Sequence, residues 1–572
     1  MSGRKALLAW LAIFGIATAA PAASPLPVAA EHGMVVTAHH LATQAGLDVL
    51  KSGGNAVDAA VAVGYALAVT FPEAGNLGGG GFMVVRFHDG RTGFIDFRET
   101  APMAATATMF QDKNGNVRPG LSTRGYLAVG VPGTVAGLEL ARGKYGTRTR
   151  AELMAPAIRL ARDGFVLDQG DADLLAEGAE DFRKDEPSAS IFLNQGRPWT
   201  AGERLVQSDL GKVLTRIADE GPSAFYDGAI AAQIVAASKA HGGIIARADF
   251  ARYQAREMAP LECDYHGWHI ISAPPPSSGG VVLCETLNIL EGYPVAAMGF
   301  RSAAGTHYLV EALRRAYHDR NLNLGDPSFV HADIARFTDK AYAATLRQGI
   351  AADRATASSS LPAPGLGEEG RHTTHYSIVD KDGNAVSVTY TLNDWFGARV
   401  TAAGTGILLN DEMDDFSSKV GAPNMYGLVE GTNNAIAPGK RPLSSMTPTI
   451  VAHDGKLAMV IGTPGGSRIP TAVLQVMLNV IDYGMNLQEA VDAPRIHHQW
   501  LPDVIDYERF ALSADTIAAL KAMGYDVREQ GYENHIAAIL VGAPGVKMPP
   551  VGANRLYGAI DPRLPVGLAA GY

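Results

Sequence analysis

Residues 371–393 read RHTTHYSIVDKDGNAVSVTYTLN. The run Tyr376-Ser377-Ile378-Val379 alternates and is rich in β-forming residues. Asp382-Gly383-Asn384 is a turn signal, and Ala385 to Leu392 alternates again. The stretch reads as a β-hairpin. Its front edge is less ordinary. Residues 351–370 are rich in Ala, Ser, Pro and Gly and form a loose connector. The chain passes from that connector into Thr373-Thr374-His375 with no helix or cap between them. A threonine hydroxyl is a poor nucleophile unless a base stands beside it. A cut immediately before Thr373 would make its own α-amine that base. Such an amine titrates near ~7.7–8.0, well placed for proton transfer at neutral pH.

Outward from this stretch the β signal continues in GTGILLN (404–410) and PTIVAHDGKLAMVIGTP (448–464). The second of these ends at Pro464-Gly465-Gly466, and a helical run follows from Ser467 to about Tyr483. Two glycines at a strand-to-helix turn leave N–H groups free to hold an anion or a developing oxyanion. A plain tight turn fits the same residues. Upstream, residues 41–72 read as two helices broken at Gly53-Gly54, with Asn55 as a cap for the second. That second helix is Ala/Val-rich nearly all round and suits a position between layers. GNLGGGGF (75–82) lacks the Lys-Ser/Thr of a phosphate loop and reads as a close-packed turn. FMVVRF (82–87) and GFIDFRE (93–99) form a second hairpin, with Arg98 near its end. Residues 130–142 run from loop into helix, and about 150–320 read as mostly helical. APPPSSGG (273–280) is a stiff loop ahead of a helix.

The chain has 572 residues, of which 47% are apolar and 19% charged, so a large core is affordable and disorder is excluded. A formal net charge of −10 argues against nucleic acid and anionic membranes as partners. Arg4-Lys5, the apolar run Ala6 to Ala17 and Ala20-Pro21-Ala22 read as a secretory signal over residues 1–22. An uncleaved N-terminal anchor is the alternative, and no other stretch is long and apolar enough to span a bilayer. The two cysteines, Cys263 and Cys284, could form one disulfide in an exported protein; two buried, reduced thiols are the preferred reading. The pairs His39-His40 and His497-His498 diverge in any regular structure, so no metal is implied. Strands 82–99, 373–393, 404–410 and 448–464, covered by helices 41–72, 304–319 and 467–483, suggest a layered αββα arrangement.

The long motifs then carry a resemblance. TTHYSIVDKDGNAVSVTYTLN, GILLNDEMDDF, KRPLSSMTPTI and GTPGGSRI are similar to the small subunit of γ-glutamyltranspeptidases. KSGGNAVDAAVA, GNLGGGGFM, DFRETAP, VPGTVAGL, LGDPSFV, IHHQWLP and the terminal DPR…AAGY extend it over the whole mature chain. The resemblance implies an α+β, four-layer αββα sandwich of the N-terminal-nucleophile hydrolase type. It implies self-cleavage between His372 and Thr373 into a large subunit (23–372) and a small one (373–572), which stay associated. Thr373 would then attack the γ-amide of glutathione or another γ-glutamyl compound. Water, an amino acid or a dipeptide would accept the glutamyl group, with no cofactor and a periplasmic location.

By the same resemblance, Thr391 supports the nucleophile, and Gly465 and Gly466 form the oxyanion hole. Arg98, with Ser444 and Ser445, takes the substrate α-carboxylate. Asp415, with Asn393 and Glu412, takes the α-ammonium, and Tyr426 sits on a lid over the pocket. Asp411 and Asp414 are expected to face solvent or stabilise the turn. Glu412 departs from members that carry Gln here; a second carboxylate should tighten ammonium binding while raising its neighbour's pKa. Two rivals remain: a cephalosporin or glutaryl acylase of the same fold, and a non-catalytic periplasmic binder of γ-glutamyl peptides. A Ser-His-Asp hydrolase is disfavoured by the lack of a G-x-S-x-G elbow.

Overall fold

The computed structural model describes residues 24–361, 373–531, 534–542 and 556–572. The proposed signal and His372 lie outside these residues.

The opening hairpin forms as read, with strands Thr374–Val379 and Ala385–Thr391. Gly383, at φ 90°, supplies the left-handed residue that the turn needs. This hairpin is the centre of a seven-stranded antiparallel sheet, ordered Leu568–Gly571, Met34–Thr37, Thr374–Val379, Ala385–Thr391, Gly80–Arg86, Thr92–Asp96 and Arg256–Met258. A second seven-stranded antiparallel sheet stacks on it, ordered Val28–Ala30, Leu556–Ile560, Ala537–Val541, Lys456–Gly462, Thr449–His453, Trp268–Ser272 and Leu261–Tyr265. Helices His40–Lys51 and Ala56–Thr70 cover the outer face of the first sheet. Helices Gly279–Leu290 and Ile469–Ile481 cover the second, and Ala303–Asn323 packs against Gly279–Leu290. The architecture is the expected four-layer αββα sandwich.

The layers explain the alternation in the hairpin. Tyr376, Ile378, Val386, Val388 and Tyr390 pack beneath the helices together with the fully buried Ala56–Thr70 helix. The alternate residues, His375, Ser377, Ser387 and Thr389, face the second sheet and are equally buried. A pattern that would ordinarily place one face in water here places polar side chains between two sheets. Asn55 caps its helix through a reciprocal bond with Asp58, as its position suggested.

Three expectations are corrected. GTGILLN contributes only Ile407–Leu408, paired with Thr401–Ala402 in a separate ribbon; Gly404 and Gly406, both at positive φ, curl the chain away from the main sheets. The mostly helical region 150–320 also contains Arg256–Met258, Leu261–Tyr265 and Trp268–Ser272, which complete one edge of each sheet. Finally, Cys263 and Cys284 are joined as a disulfide and are not reduced thiols. The helix Gly279–Leu290 lies across the edge strand Leu261–Tyr265 and brings their Cα atoms to 6.0 Å, a normal span for the bond.

Candidate active site

Strand pairing places the site. The register Thr374↔Tyr390 sets Thr373 opposite Thr391, on the face turned towards the second sheet. The Thr391 hydroxyl lies 3.3 Å from that of Thr373 and accepts the Asn393 N–H at 2.8 Å. Behind Thr391 the glycine run has no room for side chains: a Cβ on Gly79 would collide with the Thr391 carbonyl oxygen. Asn76, in the same run, donates to that carbonyl at 2.9 Å and also binds Thr134. The run is therefore the close-packed turn expected of it, and its task is to let backbone press against the Thr391 strand.

The second sheet delivers the glycine turn. Strand Lys456–Gly462 leads through Thr463-Pro464 to Gly465 (φ 129°) and Gly466 (φ 53°), conformations that favour glycine. A short 3-10 turn, Gly466–Arg468, then opens the helix Ile469–Ile481. The turn is held from outside: Tyr317 donates to the Ser467 carbonyl and Asn534 to that of Pro464 at 2.6 Å. Tyr426 packs so tightly on Gly466 that any Cβ there would overlap its ring. Its hydroxyl donates to Asn393 Oδ1 at 2.6 Å, and Gln499 holds its carbonyl at 3.0 Å.

Thr373, Thr391, Asn393, Tyr426 and Gly466 line a cavity together with Arg98, Glu412, Asp415, Ser444 and Ser445. Apolar walls come from Leu428, Leu443, Met446 and Ile469. Gly465 adjoins this cavity through Gly466. The proline loop 273–280 backs the serines, with Ser278 donating to the Ser444 carbonyl through its N–H at 2.7 Å and its hydroxyl at 2.6 Å.

Arg98 carries the electrostatics. Its guanidinium donates to Glu412 and to Asp415, and Glu99 stands at 3.8 Å. All four side chains are buried. Burial works against the Arg98 charge, but Glu412, Asp415 and Glu99 together outweigh it and raise its pKa. Burial pushes the carboxyls of Glu412 and Asp415 up as well, and that of Glu99 up to about 7. One guanidinium thus faces three carboxyl groups. The excess of acid suits a ligand that brings an ammonium, and Arg98 suits one that brings a carboxylate.

Asp411 and Asp414 do not face solvent. Asp411 accepts the Asp394 N–H at 2.9 Å, and Asp414 accepts the Ser122 hydroxyl at 2.5 Å and the Met425 N–H at 2.8 Å. Both therefore tie the segment down, the other part of the expectation. The sequence reading also missed Glu99, although it follows Arg98 directly, and missed Asn76, Gln499 and Tyr317, whose partners are far away in the chain. The histidines of the two pairs have separate protein partners: His39 caps a helix and meets Asp171, while His497 meets Thr471 and Gln499 and His498 meets Asp503. Among the described residues no group of three or more His, Cys, Asp and Glu could hold a metal.

Comparison with known proteins gives three results. A family model described as gamma-glutamyltranspeptidase matches residues 42–570. The chain is 62% identical over 553 residues to the glutathione hydrolase proenzyme of Pseudomonas sp. (strain A14), covering 96% of each. It is 50% identical over 568 residues to that of Escherichia coli (strain K12), covering 97% of this chain and 96% of the other. Among solved structures, the cephalosporin acylase from Bacillus halodurans superimposes with a TM-score of 0.83 at 28% identity, over 97% of this chain and 98% of that one.

Proposed function

The chain belongs to the γ-glutamyltranspeptidase family, and from that premise we propose that it cuts itself before Thr373 and then transfers the γ-glutamyl group of glutathione and related amides. One observation carries this reading. The Thr373–Thr391 hydroxyl pair, the Gly466 turn and the oppositely charged groups Arg98 and Asp415 all open onto one cavity.

Before the cut, the Thr373 hydroxyl attacks the carbonyl of residue 372. The peptide C–N bond breaks, which frees the Thr373 amine and leaves residue 372 as an ester on the Thr373 oxygen; water then opens the ester, restoring the Thr373 hydroxyl and releasing residue 372 as a carboxylate. The products are a large subunit (23–372) and a small one (373–572). The new amine takes the proton of its own hydroxyl, and the oxygen attacks the γ-amide carbonyl of the donor. The N–H groups of Gly465 and Gly466 stabilise the oxyanion, a contribution of ~3–4 kcal/mol for donors of this kind. As the C–N bond breaks, the α-ammonium returns the proton to the leaving amine. A γ-glutamyl-threonine ester remains, and water or the amine of an amino acid or dipeptide resolves it.

Recognition follows from the charge count. The donor's α-carboxylate pairs with Arg98, assisted by Ser444 and Ser445. Its α-ammonium pairs with Asp415 and Glu412, beside Asn393. Binding exchanges ion pairs inside the protein for ion pairs with the substrate, so little buried charge is left unmatched. Tyr426 closes the pocket over the glutamyl group. Residues 1–22 direct export to the periplasm. An acylase of the same fold needs no acceptor for an ammonium, and the two carboxylates favour a glutamyl over a glutaryl substrate.

The test is N-terminal sequencing of the exported protein together with hydrolysis of γ-glutamyl-p-nitroanilide and glutaryl-p-nitroanilide. The expected result is a fragment starting at Thr373 and a strong preference for the glutamyl compound. Thr373→Ala should remain one inactive chain. An intact yet fully active wild-type chain would sink the proposal.

A further inference from the structure

The polar residues between the two sheets form a connected contact that neither the catalytic steps nor substrate recognition uses. His375 is two residues after Thr373, on the same face of the hairpin, in the strand that begins at Thr374. Its Nδ1 lies 2.8 Å from the Thr389 hydroxyl and its Nε2 3.1 Å from the Ser377 hydroxyl. Ser377 donates its proton onward to the Ala537 carbonyl at 3.0 Å. The Ser377 oxygen must then accept from Nε2–H, which leaves Nδ1 to accept from Thr389. Both ring nitrogens are thereby satisfied by a neutral imidazole, in keeping with burial, which lowers the pKa of His375 to about 3.

The far end of this chain matters. Ala537 pairs with Gly462, the last residue of the strand that runs into the glycine turn. Gly462 itself has no space for a side chain: an added Cβ would overlap three atoms of the His375 ring, the farthest at 2.8 Å. One residue earlier, the Ile461 carbonyl accepts the Ser387 hydroxyl at 3.2 Å, and that hydroxyl accepts the Thr449 N–H at 3.0 Å. The imidazole is therefore clamped between the nucleophile hairpin of one sheet and the oxyanion strand of the other. Two short backbone lengths lead away from it: His375 to Thr373, and Gly462 to Gly465 and Gly466. Any change in the thickness of this contact moves those two ends relative to each other.

We infer that the His375–Gly462 contact, tied through Thr389 and Ser377, is the spacer that sets the distance between the Thr373 hydroxyl and the Gly465–Gly466 turn, making His375 a positioning residue for the reaction. The inference rests on Thr373 being the nucleophile. It assigns to this pair an effect on the chemical step and none on donor binding, because Arg98, Glu412 and Asp415 are held by other elements.

The experiment compares His375→Ala, Gly462→Ala and the double variant, with rates expressed per mole of chain carrying a Thr373 N-terminus, counted by mass spectrometry. A displacement of about 1 Å at a reacting group costs on the order of 10²-fold in rate. Each single variant should therefore lose about 10²-fold in kcat on γ-glutamyl-p-nitroanilide, mature more slowly and keep its KM. In the double variant the new methyl occupies space that the ring has left, so kcat should recover at least about tenfold over either single variant. If a single variant fails to fold, Ser377→Ala and Thr389→Val loosen the same clamp more gently and should lower kcat with KM fixed. Unchanged kcat per mature chain with only a lower Tm would make His375 a packing residue and overturn the inference, as would additive losses in the double variant. A wild-type chain lacking the Thr373 N-terminus would instead overturn the functional proposal, so the two failures are distinguishable.

Discussion

Two buried clusters of charge reach the Gly465–Gly466 turn, and they are built on different arithmetic. Around Arg98 one cation meets Glu412, Asp415 and Glu99. In the second cluster two cations meet two acids: Arg495 pairs with Asp561 at 2.6 Å, and Arg563 pairs with Glu508 at 2.8 Å and with Asp561 at 2.9 Å. Asn534 joins this second cluster to the turn, since it receives an Arg495 N–H and donates to Pro464. The acids respond oppositely. Burial works to raise the pKa of Asp561, but Arg495 and Arg563 outweigh it and hold the group below its ordinary value. Burial prevails at Glu412 and Asp415, which are pushed up. Matched buried charge behaves as scaffold, whereas an excess of buried acid behaves as a receptor for a cation.

Exchanging charges one at a time tests that contrast. The largest effect is expected at Asp415. Asp415→Asn should lower kcat/KM for γ-glutamyl-p-nitroanilide by ~10²–10³-fold, as for loss of one partner of a buried charged contact. The same variant should leave the slow rate on glutaryl-p-nitroanilide unchanged, and an equal fall in both rates would break the contrast. Asp561→Asn should act on stability instead. Removal of one partner of a buried pair costs about 3–5 kcal/mol, readable by denaturant unfolding, with the KM of the folded enzyme unaltered. The sign is set by the depressed pKa of Asp561. Its stabilisation is present above the ordinary carboxylate range and is lost as pH falls through its lower folded value, so the variant's stability should vary less with acid.

Two smaller effects refine the picture. Glu412→Gln retains a polar acceptor but removes one negative charge, and should raise the donor KM by ~3–10-fold with little change in kcat. Glu99→Gln should change least. The Glu99 carboxyl is raised from 4.5 to about 7 by burial, so the folded chain keeps a proton there that the unfolded chain releases. Its contribution therefore falls as pH rises between those values, and the Gln variant should show a flatter dependence of Tm on pH across that window.

Much of the architecture was legible because local signals agreed with the final packing. The Asp382-Gly383-Asn384 turn, the Asn55 cap and the strand-to-helix change around Gly465 each depend on residues a few positions apart. The site residues were legible only through long motifs: Arg98 and Glu412 touch across 314 positions, and no spacing rule links them. What stayed hidden depended on the stacking of layers. The polar face of the hairpin looks solvent-facing until a second sheet covers it. In Leu261–Tyr265, Glu262 and Asp264 alternate outward on an edge strand, and this short pattern was lost in a helical neighbourhood. The Cys263–Cys284 bond likewise depends on one helix lying across that edge. Asp411 and Asp414 were expected to face solvent or to stabilise the turn, and only the packed structure decides between the two: backbone N–H groups and the Ser122 hydroxyl bind them inside.

The order of strands has a consequence for the two halves that a break before Thr373 would create. In the first sheet Met34–Thr37 lies between Leu568–Gly571 and Thr374–Val379, and Gly80–Arg86 is bonded to Ala385–Thr391. In the second, Val28–Ala30 pairs with Leu556–Ile560, and Trp268–Ser272 with Thr449–His453. Such halves are laced together along both ladders and have no surface along which to part. Folding and association of such halves would be a single event: they would come apart only by unfolding, and because that yields two separate chains their melting temperature would rise with concentration.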